Sequence, residues 1–142
     1  MSPALPDGEV PPSDGSLPSS VVEGAHERDF GVYLHVPFCT VRCGYCDFNT
    51  YTSSELGGGA SQDSYAKTAV QEIALASRVM DEVGLPAREV STVFVGGGTP
   101  TLLPVDDLAL MVAAVRERWG LSPNAEVTTE ANPDSVTPQS LA

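Results

Sequence analysis

The chain has 142 residues, enough for one domain, and it is strongly acidic, with 19 Asp and Glu residues against seven Lys and Arg residues and a formal net charge of −12. This charge argues against nucleic-acid binding, which needs clustered Lys and Arg, and against binding to an anionic membrane surface. No apolar run approaches the roughly 20 residues that span a bilayer, and the N-terminus lacks the regions of a secretory signal. We therefore expect a cytoplasmic protein without a transmembrane segment.

Residues 1–28 differ in composition from the rest of the chain. They are rich in Pro, Ser, Gly and acidic residues and contain little that could pack into a core. This composition is typical of a disordered tail. The sequence therefore predicts two regions, a tail at residues 1–28 and a folded domain at residues 29–142.

The folded region begins with a β-branched and aromatic run, VYLHV at residues 32–36, which Pro37 ends. This pattern predicts a strand, and a loop that contains all three cysteines follows it directly. These are Cys39, Cys43 and Cys46, with the spacing C-x3-C-x2-C. Three thiolates so close together can hold three irons of a [4Fe–4S] cluster, and the fourth iron then has an open position. The spacing indicates a cluster that takes part in chemistry.

A zinc site is the alternative for the same cysteines. Structural zinc takes four Cys or His ligands in almost all cases. The two histidines of the chain are His26, in the predicted tail, and His35, in the predicted strand. Asp47 could supply a fourth ligand, but the site would be atypical. The ligand count therefore favours the iron–sulfur interpretation.

Downstream, the sequence predicts a flexible linker, two helices and two further strands. Apolar residues recur every three or four positions in the helical segments, whereas the second strand is apolar throughout and is expected to be covered on both faces. The bounds are 52–60 for the linker, 62–83 and 105–119 for the helices, and 92–95 and 125–131 for the strands. Alternating strands and helices predict an α/β fold with parallel strands and right-handed crossovers.

Two further motifs follow strands and are expected at the carboxyl edge of the sheet, beside the cysteine loop. The first is a run of three glycines at residues 96–98, followed by Thr99. Glycines let the backbone approach a ligand, and this loop suits the amino or carboxylate end of a small zwitterion. The second is Glu130, a carboxylate that is costly to bury unpaired and that we expect to meet a cation or ribose hydroxyls.

Together these motifs resemble a known family. The run Tyr33-Leu-His-Val-Pro-Phe-Cys39, the two cysteines that follow with Tyr45, the run GGGTPT at residues 96–101 and the run EANP at residues 130–133 are similar to the radical S-adenosylmethionine (SAM) proteins. The similarity covers residue 30 to the end of the chain. The nearest resemblance is to the oxygen-independent coproporphyrinogen III oxidases and their heme chaperone relatives.

The resemblance implies a partial (β/α) barrel, of which this chain holds the N-terminal part. It implies that Cys39, Cys43 and Cys46 bind the cluster and that SAM chelates the open iron and is cleaved to a 5′-deoxyadenosyl radical. It also implies contacts to SAM from a further set of residues, Tyr33, Gly97 and Glu130, and contacts to a second SAM in the oxidases from Tyr45, Gly98 and Thr99.

Within the family, one position favours the heme chaperones. The oxidases typically carry a further Cys two residues after the third cluster Cys, and this chain has Phe48 there. The implied partners are heme or a porphyrinogen, an electron donor and a heme-accepting protein. The oxidase activity, decarboxylation of coproporphyrinogen III, remains the alternative. Because the family's domain has more strands than this chain supplies, a third hypothesis is a truncated chain that binds a cluster without activity.

Overall fold

The computed structural model describes residues 10–52 and 61–141. The greater part of the predicted linker, residues 53–60, and the first nine residues of the predicted tail lie outside the described residues. The main elements, in chain order, are β1 Gly31–Val36, β2 Phe38–Cys39, β3 Tyr51–Thr52, α1 Gln62–Glu82, β4 Val90–Gly97, α2 Val105–Trp119 and β5 Leu121–Thr129. Short 3-10 turns lie at Ser19–Val22, Ala25–Glu27, Pro100–Leu102 and Pro133–Ser135.

The three long strands form one parallel sheet in the order β1-β4-β5. Leu34 of β1 is in register with Val95 of β4, and Phe94 of β4 is in register with Thr128 of β5. Because all three strands run the same way, their carboxyl ends meet at one edge. The predicted α/β fold with parallel strands is confirmed.

The ends of both long helices follow from their local chemistry. The Ser61 side chain accepts a hydrogen bond from the backbone N–H of Asp63 at 3.1 Å, which caps the start of α1. Gly120 ends α2 with a φ of 76°, a conformation that glycine adopts without a steric penalty. The predicted helices, residues 62–83 and 105–119, therefore agree closely with the observed bounds.

The hydrophobic core lies between the two helices and one face of the sheet. Strand residues that alternate along β1 and β4 point into it and meet apolar residues from both helices, as alternation on a pleated strand requires. The buried members on this face include Leu34, Val36, Val93, Val95, Ala66, Ile73, Met111, Ala114 and Val115.

The opposite face of the sheet corrects one prediction. We expected β4 to be covered on both faces, but Phe94 is 40% exposed and Tyr33 of β1, which stacks against it, is 53% exposed. Among the described residues, the core cluster joins both helices to the other face of the sheet. Three strands are too few to curl into a closed barrel, so this side is left accessible to water.

Strand bounds were predicted less well than helix bounds. β4 extends beyond residues 92–95 at both ends, and β5 spans 121–129 instead of 125–131, so that Glu130 comes directly after the strand. The pairing of β2 with β3, two residues each, was not predicted. Two-residue strands carry no periodicity from which they could be recognised.

The segment before β1 contacts the body of the protein. Ala25 is only 1% exposed, and the Arg88 guanidinium donates hydrogen bonds to the carbonyls of Ala25 at 2.6 Å and Arg28 at 3.0 Å. The same guanidinium lies over the ring of Phe30, 5.2 Å from its centroid. The predicted domain boundary after residue 28 stays a prediction.

None of the helices within residues 10–52 and 61–141 combines the length and the apolar character that a membrane crossing requires.

Candidate functional site

A cavity of about 1400 Å³ opens at the carboxyl edge of the sheet, and we call it the edge cavity. Three segments line it, and each follows a strand of the fold: the cysteine loop after β1, the glycine loop after β4 and the segment after β5. Its lining includes Cys39, Cys43, Tyr45, Cys46, Phe48, Gly97, Gly98, Thr99, Glu130 and Asn132. Eight of the nine predicted site residues are therefore on its wall.

The three cysteines enter the cavity from one loop. Cys39 and Cys46 are half-buried, Cys43 is exposed, and all three are free thiols. A turn brings the second and third together, since the backbone N–H of Cys46 donates to the carbonyl of Cys43 at 3.1 Å. Within the described ranges, no three His, Cys, Asp or Glu side chains are grouped closely enough to hold a metal ion. The sulfurs thus share one cavity without forming a closed ligand set.

Backbone hydrogen bonds fasten the base of the cysteine loop to the sheet. The N–H of Tyr51 donates to the carbonyl of Pro37 at 2.7 Å, where β2 pairs with β3. The N–H of Thr99 donates to the carbonyl of Phe38 at 2.7 Å, and the N–H of Gly98 donates to the carbonyl of Val36 at 2.8 Å. The cysteine loop and the glycine loop are therefore held against each other by main-chain contacts.

Two of the glycines are required by this close approach. A Cβ at Gly98 would overlap the carbonyl oxygen of Phe38 and lie 2.8 Å from the Cys39 sulfur. Gly97 has a φ of 117°, and a Cβ there would lie 2.8 Å from the His35 ring. These contacts leave no room for a side chain, so glycines here let the glycine loop pack directly against the cysteine loop and the end of β1.

Glu130 is positioned by the glycine loop. Its carboxylate accepts a hydrogen bond from the backbone N–H of Gly97 at 3.0 Å, while its own N–H donates to the carbonyl of Val95 at 2.9 Å. The side chain remains exposed at the cavity wall. An anionic group held in this way can accept hydrogen bonds from an ammonium group or from ribose hydroxyls.

Tyr33 lies beneath this edge, on the accessible face of the sheet, and is not among the residues that line the edge cavity. Its hydroxyl is 2.9 Å from Nδ1 of His35, and Nε2 of His35 is 2.8 Å from the carbonyl of Asn49. Because a carbonyl only accepts, Nε2 donates to it, and Nδ1 of the neutral ring then accepts from Tyr33. Partial burial, followed by the charge of Glu130, raises the pKa of the Tyr33 hydroxyl.

His35 does not line the edge cavity, but its ring lies against Gly97, and sequence reasoning missed this supporting position. The sequence places it among the two histidines weighed for zinc and in the run at residues 33–39. In the structure its side chain connects the end of β1 to Asn49, and its carbonyl accepts a hydrogen bond from the Tyr65 hydroxyl. Asn132, which belongs to the run EANP that resembles the family, does line the cavity. The proximity of His35 to the cysteine run in the sequence was the one available signal.

At the outer rim of the cavity, the cysteine loop presents three exposed apolar side chains. Val41, Tyr45 and Phe48 are 74%, 89% and 59% exposed, respectively. Tyr45, predicted to contact a second SAM, thus faces solvent beside Cys46, and Phe48 stands where the oxidases typically carry a further Cys.

The chain was compared with known proteins. A family model described as the radical SAM superfamily matches residues 33–142. The heme chaperone HemW of Mycobacterium tuberculosis (strain ATCC 25618 / H37Rv) is 52% identical over 115 residues, which cover 81% of this chain and 28% of that protein. HemW of Escherichia coli (strain K12) is 37% identical over 105 residues, covering 74% of this chain and 26% of that protein.

Among solved structures, coproporphyrinogen III oxidase (HemN) from Escherichia coli, described as a radical SAM enzyme, matches with a TM-score of 0.65 and 24% identity, over 84% of this chain and 26% of that one. At this identity the likeness shows the fold alone, and it agrees with the parallel α/β arrangement described above. The chain spans roughly a quarter of the length of these relatives. Since the family model covers more than half of the chain, the protein belongs to the radical SAM superfamily.

Proposed function

We propose that this chain is the cluster- and SAM-binding part of a heme chaperone. The observation that carries the proposal is the edge cavity, into which the cysteine loop, the glycine loop and Glu130 converge from three separate segments. Membership of the superfamily implies a [4Fe–4S] cluster and SAM in general. The residues on the cavity wall supply donors of the kinds that both ligands need.

For the cluster, Cys39, Cys43 and Cys46 would be the ligands. Thiolates are the usual protein ligands of iron–sulfur clusters, and all three sulfurs are free. The edge cavity of about 1400 Å³, which all three cysteines line, has room for a bulky inorganic group. When bound, the cluster supplies an electron through an iron that has no protein ligand.

For SAM, the residues of the glycine loop and Glu130 would form the pocket. Glycines permit close approach of the ligand, and the Glu130 carboxylate is oriented by the N–H of Gly97. Tyr33 would contact SAM from beneath the edge of the sheet, through the hydroxyl that is hydrogen-bonded to His35. The proposed contacts are Tyr33, Gly97 and Glu130, with Tyr45, Gly98 and Thr99 for a second SAM.

Two observations favour heme handling over porphyrinogen oxidation: the residue at position 48 and the names of the similar proteins. Phe48 replaces the Cys that the oxidases typically carry, and the curated relatives cited above are named heme chaperones. The proposed ligand is therefore heme, with an electron donor and a heme-accepting protein as partners, in the cytoplasm. The likeness to HemN concerns the fold alone and does not decide between heme handling and the oxidase alternative.

Anaerobic reconstitution tests the metal centre. We expect the chain, incubated with ferrous iron, sulfide and a thiol reductant, to turn brown and develop the broad visible absorption of an iron–sulfur cluster. A triple variant, C39S/C43S/C46S, is the control and should remain colourless. Stoichiometric zinc uptake by wild-type protein that never develops this absorption would refute the proposal.

A second experiment separates the two functions of the family. The gene product is titrated with heme under anaerobic conditions and, in parallel, incubated with coproporphyrinogen III, SAM and a reductant. We expect saturable heme binding without conversion of the porphyrinogen. Formation of the divinyl product without heme binding would assign the protein to the oxidases, and a reconstituted protein with neither property would be an inactive cluster-binding chain.

A further inference from the structure

Thr50 is the one buried polar residue in the part of the chain that the structure describes, with only 2% of its surface exposed. It lies at the end of the cysteine loop, directly before β3, and is none of the residues predicted to bind a ligand. A buried hydroxyl requires a hydrogen-bond partner, because removing it from water without one is unfavourable. The hydrogen-bond partner of Thr50 therefore indicates the role of this residue.

That partner is Cys46, one of the three proposed cluster ligands. The Thr50 Oγ1 atom lies 3.7 Å from the sulfur of Cys46, within hydrogen-bonding reach of a large sulfur acceptor. In the free thiol either atom can be the donor. A thiolate has no hydrogen, so once Cys46 binds iron the hydroxyl of Thr50 must be the donor.

The backbone holds the hydroxyl in place from both sides. The residue before it, Asn49, accepts a hydrogen bond through its carbonyl from the His35 ring at 2.8 Å. The residue after it, Tyr51, donates its N–H to the carbonyl of Pro37 at 2.7 Å and pairs with Phe38. With both neighbours fixed to β1 and β2, Thr50 has little freedom to turn away from the sulfur. The donor is therefore preorganised.

We propose that Thr50 is a positioning residue that sets the reduction potential of the cluster, by donating a hydrogen bond to the Cys46 thiolate; this inference rests on the proposed cluster binding. Hydrogen bonds to cluster sulfurs are among the factors that set such potentials. Reduction adds one negative charge to the cluster and its thiolates. A donor stabilises the reduced form more than the oxidised form, so Thr50 raises the potential.

The test compares two substitutions in the reconstituted chain. Thr50→Val keeps the branched shape and removes the hydroxyl, whereas Thr50→Ser keeps the hydroxyl and removes a methyl group. The midpoint potential of the one-electron couple is measured by reduction with dithionite in the presence of redox mediators, with the reduced cluster followed by electron paramagnetic resonance. This readout does not depend on SAM or on turnover.

We expect Thr50→Val to make the cluster roughly tenfold harder to reduce, which corresponds to a potential about 59 mV more negative for a one-electron couple. Thr50→Ser should stay close to wild type. After exchange into heavy water, electron–nuclear double resonance of the reduced wild-type cluster should detect an exchangeable deuteron that is retained with Ser and lost with Val. Equal potentials and equal deuteron signals in wild type and Thr50→Val would overturn the proposal.

Two other outcomes would also count against it. A Thr50→Ser potential shifted as far as that of Thr50→Val would assign the effect to packing of the methyl group. A Thr50→Val protein that keeps the wild-type circular dichroism spectrum but takes up no iron would assign Thr50 to cluster assembly instead. Failure of the wild-type chain itself to form a cluster is a different result, since it refutes the proposed function.

Discussion

Replacing Gly98 by Ala tests whether the glycine loop is shaped by its contact with the cysteine loop. The added Cβ would overlap the carbonyl oxygen of Phe38 and lie 2.8 Å from the Cys39 sulfur. The backbone would have to move, at the expense of the hydrogen bonds from Gly98 to Val36, 2.8 Å, and from Thr99 to Phe38, 2.7 Å.

The magnitude follows from these contacts. Overpacking by one methyl group costs about 1–3 kcal/mol. Weakening two main-chain hydrogen bonds, each with a net value of about 1 kcal/mol, adds up to about 2 kcal/mol. We therefore expect Gly98→Ala to lower the free energy of unfolding by about 1–5 kcal/mol, a substantial fraction of the stability of a typical domain. Iron uptake should fall as well, because the methyl group would displace the sulfur of Cys39, a proposed cluster ligand.

Gly44→Ala provides a matched control in the same loop. A Cβ at Gly44 would meet nothing within 4 Å, so this variant should match wild type in both measurements. The assays are urea unfolding followed by circular dichroism and iron content after anaerobic reconstitution. If Gly98→Ala unfolds at the wild-type urea concentration and binds as much iron, the glycine is not required by close approach and the reasoning fails.

Two further predictions concern the rest of the fold. Arg88→Ala removes the hydrogen bonds to the carbonyls of Ala25 and Arg28. Urea denaturation should show a free energy of unfolding that is lower by about 2–3 kcal/mol. Unchanged stability would show that the position of the N-terminal segment does not depend on these hydrogen bonds. Burial, followed by the charges of Glu72 and Tyr33, raises the pKa of the Tyr65 hydroxyl above its ordinary value of 10.0. The stability that this pKa difference contributes is complete below pH 10.0, the pKa in the unfolded chain, and is lost as the pH rises through the pKa in the folded protein. Urea denaturation between pH 9 and pH 11.5 should show this loss in wild type and less of it in Tyr65→Phe, and identical pH dependence would contradict the assignment.

The helices and the order of the elements could be predicted because their signals are local. Ser61 and Gly120 mark helix ends through capping and a positive φ, both of which depend on adjacent residues. Strand ends depend instead on pairing with distant segments, which is why β5 begins at Leu121 and not at residue 125. The accessible face of β4 was missed for a related reason, since an apolar strand does not reveal how many neighbours will cover it.

In the candidate site, too, local sequence signals could be read and contacts within the folded loop could not. The cysteines were found from their spacing, and the glycine loop from its composition. By contrast, the roles of His35 and Thr50 depend on contacts between residues 14 and four positions apart, respectively, through a loop without regular structure. No pattern of residue types predicts this conformation of the loop, so the roles of both residues could be recognised only from the structure.

The pairing of β2 with β3 has a consequence for how a metal centre could assemble here. It joins the two ends of the cysteine loop, so the chain between Phe38 and Tyr51 is a ring closed by the protein itself. The entropy of closing that ring is lost when the domain folds. The three cysteine sulfurs are therefore already confined to a small volume. An incoming inorganic group need not bring them together from an extended chain.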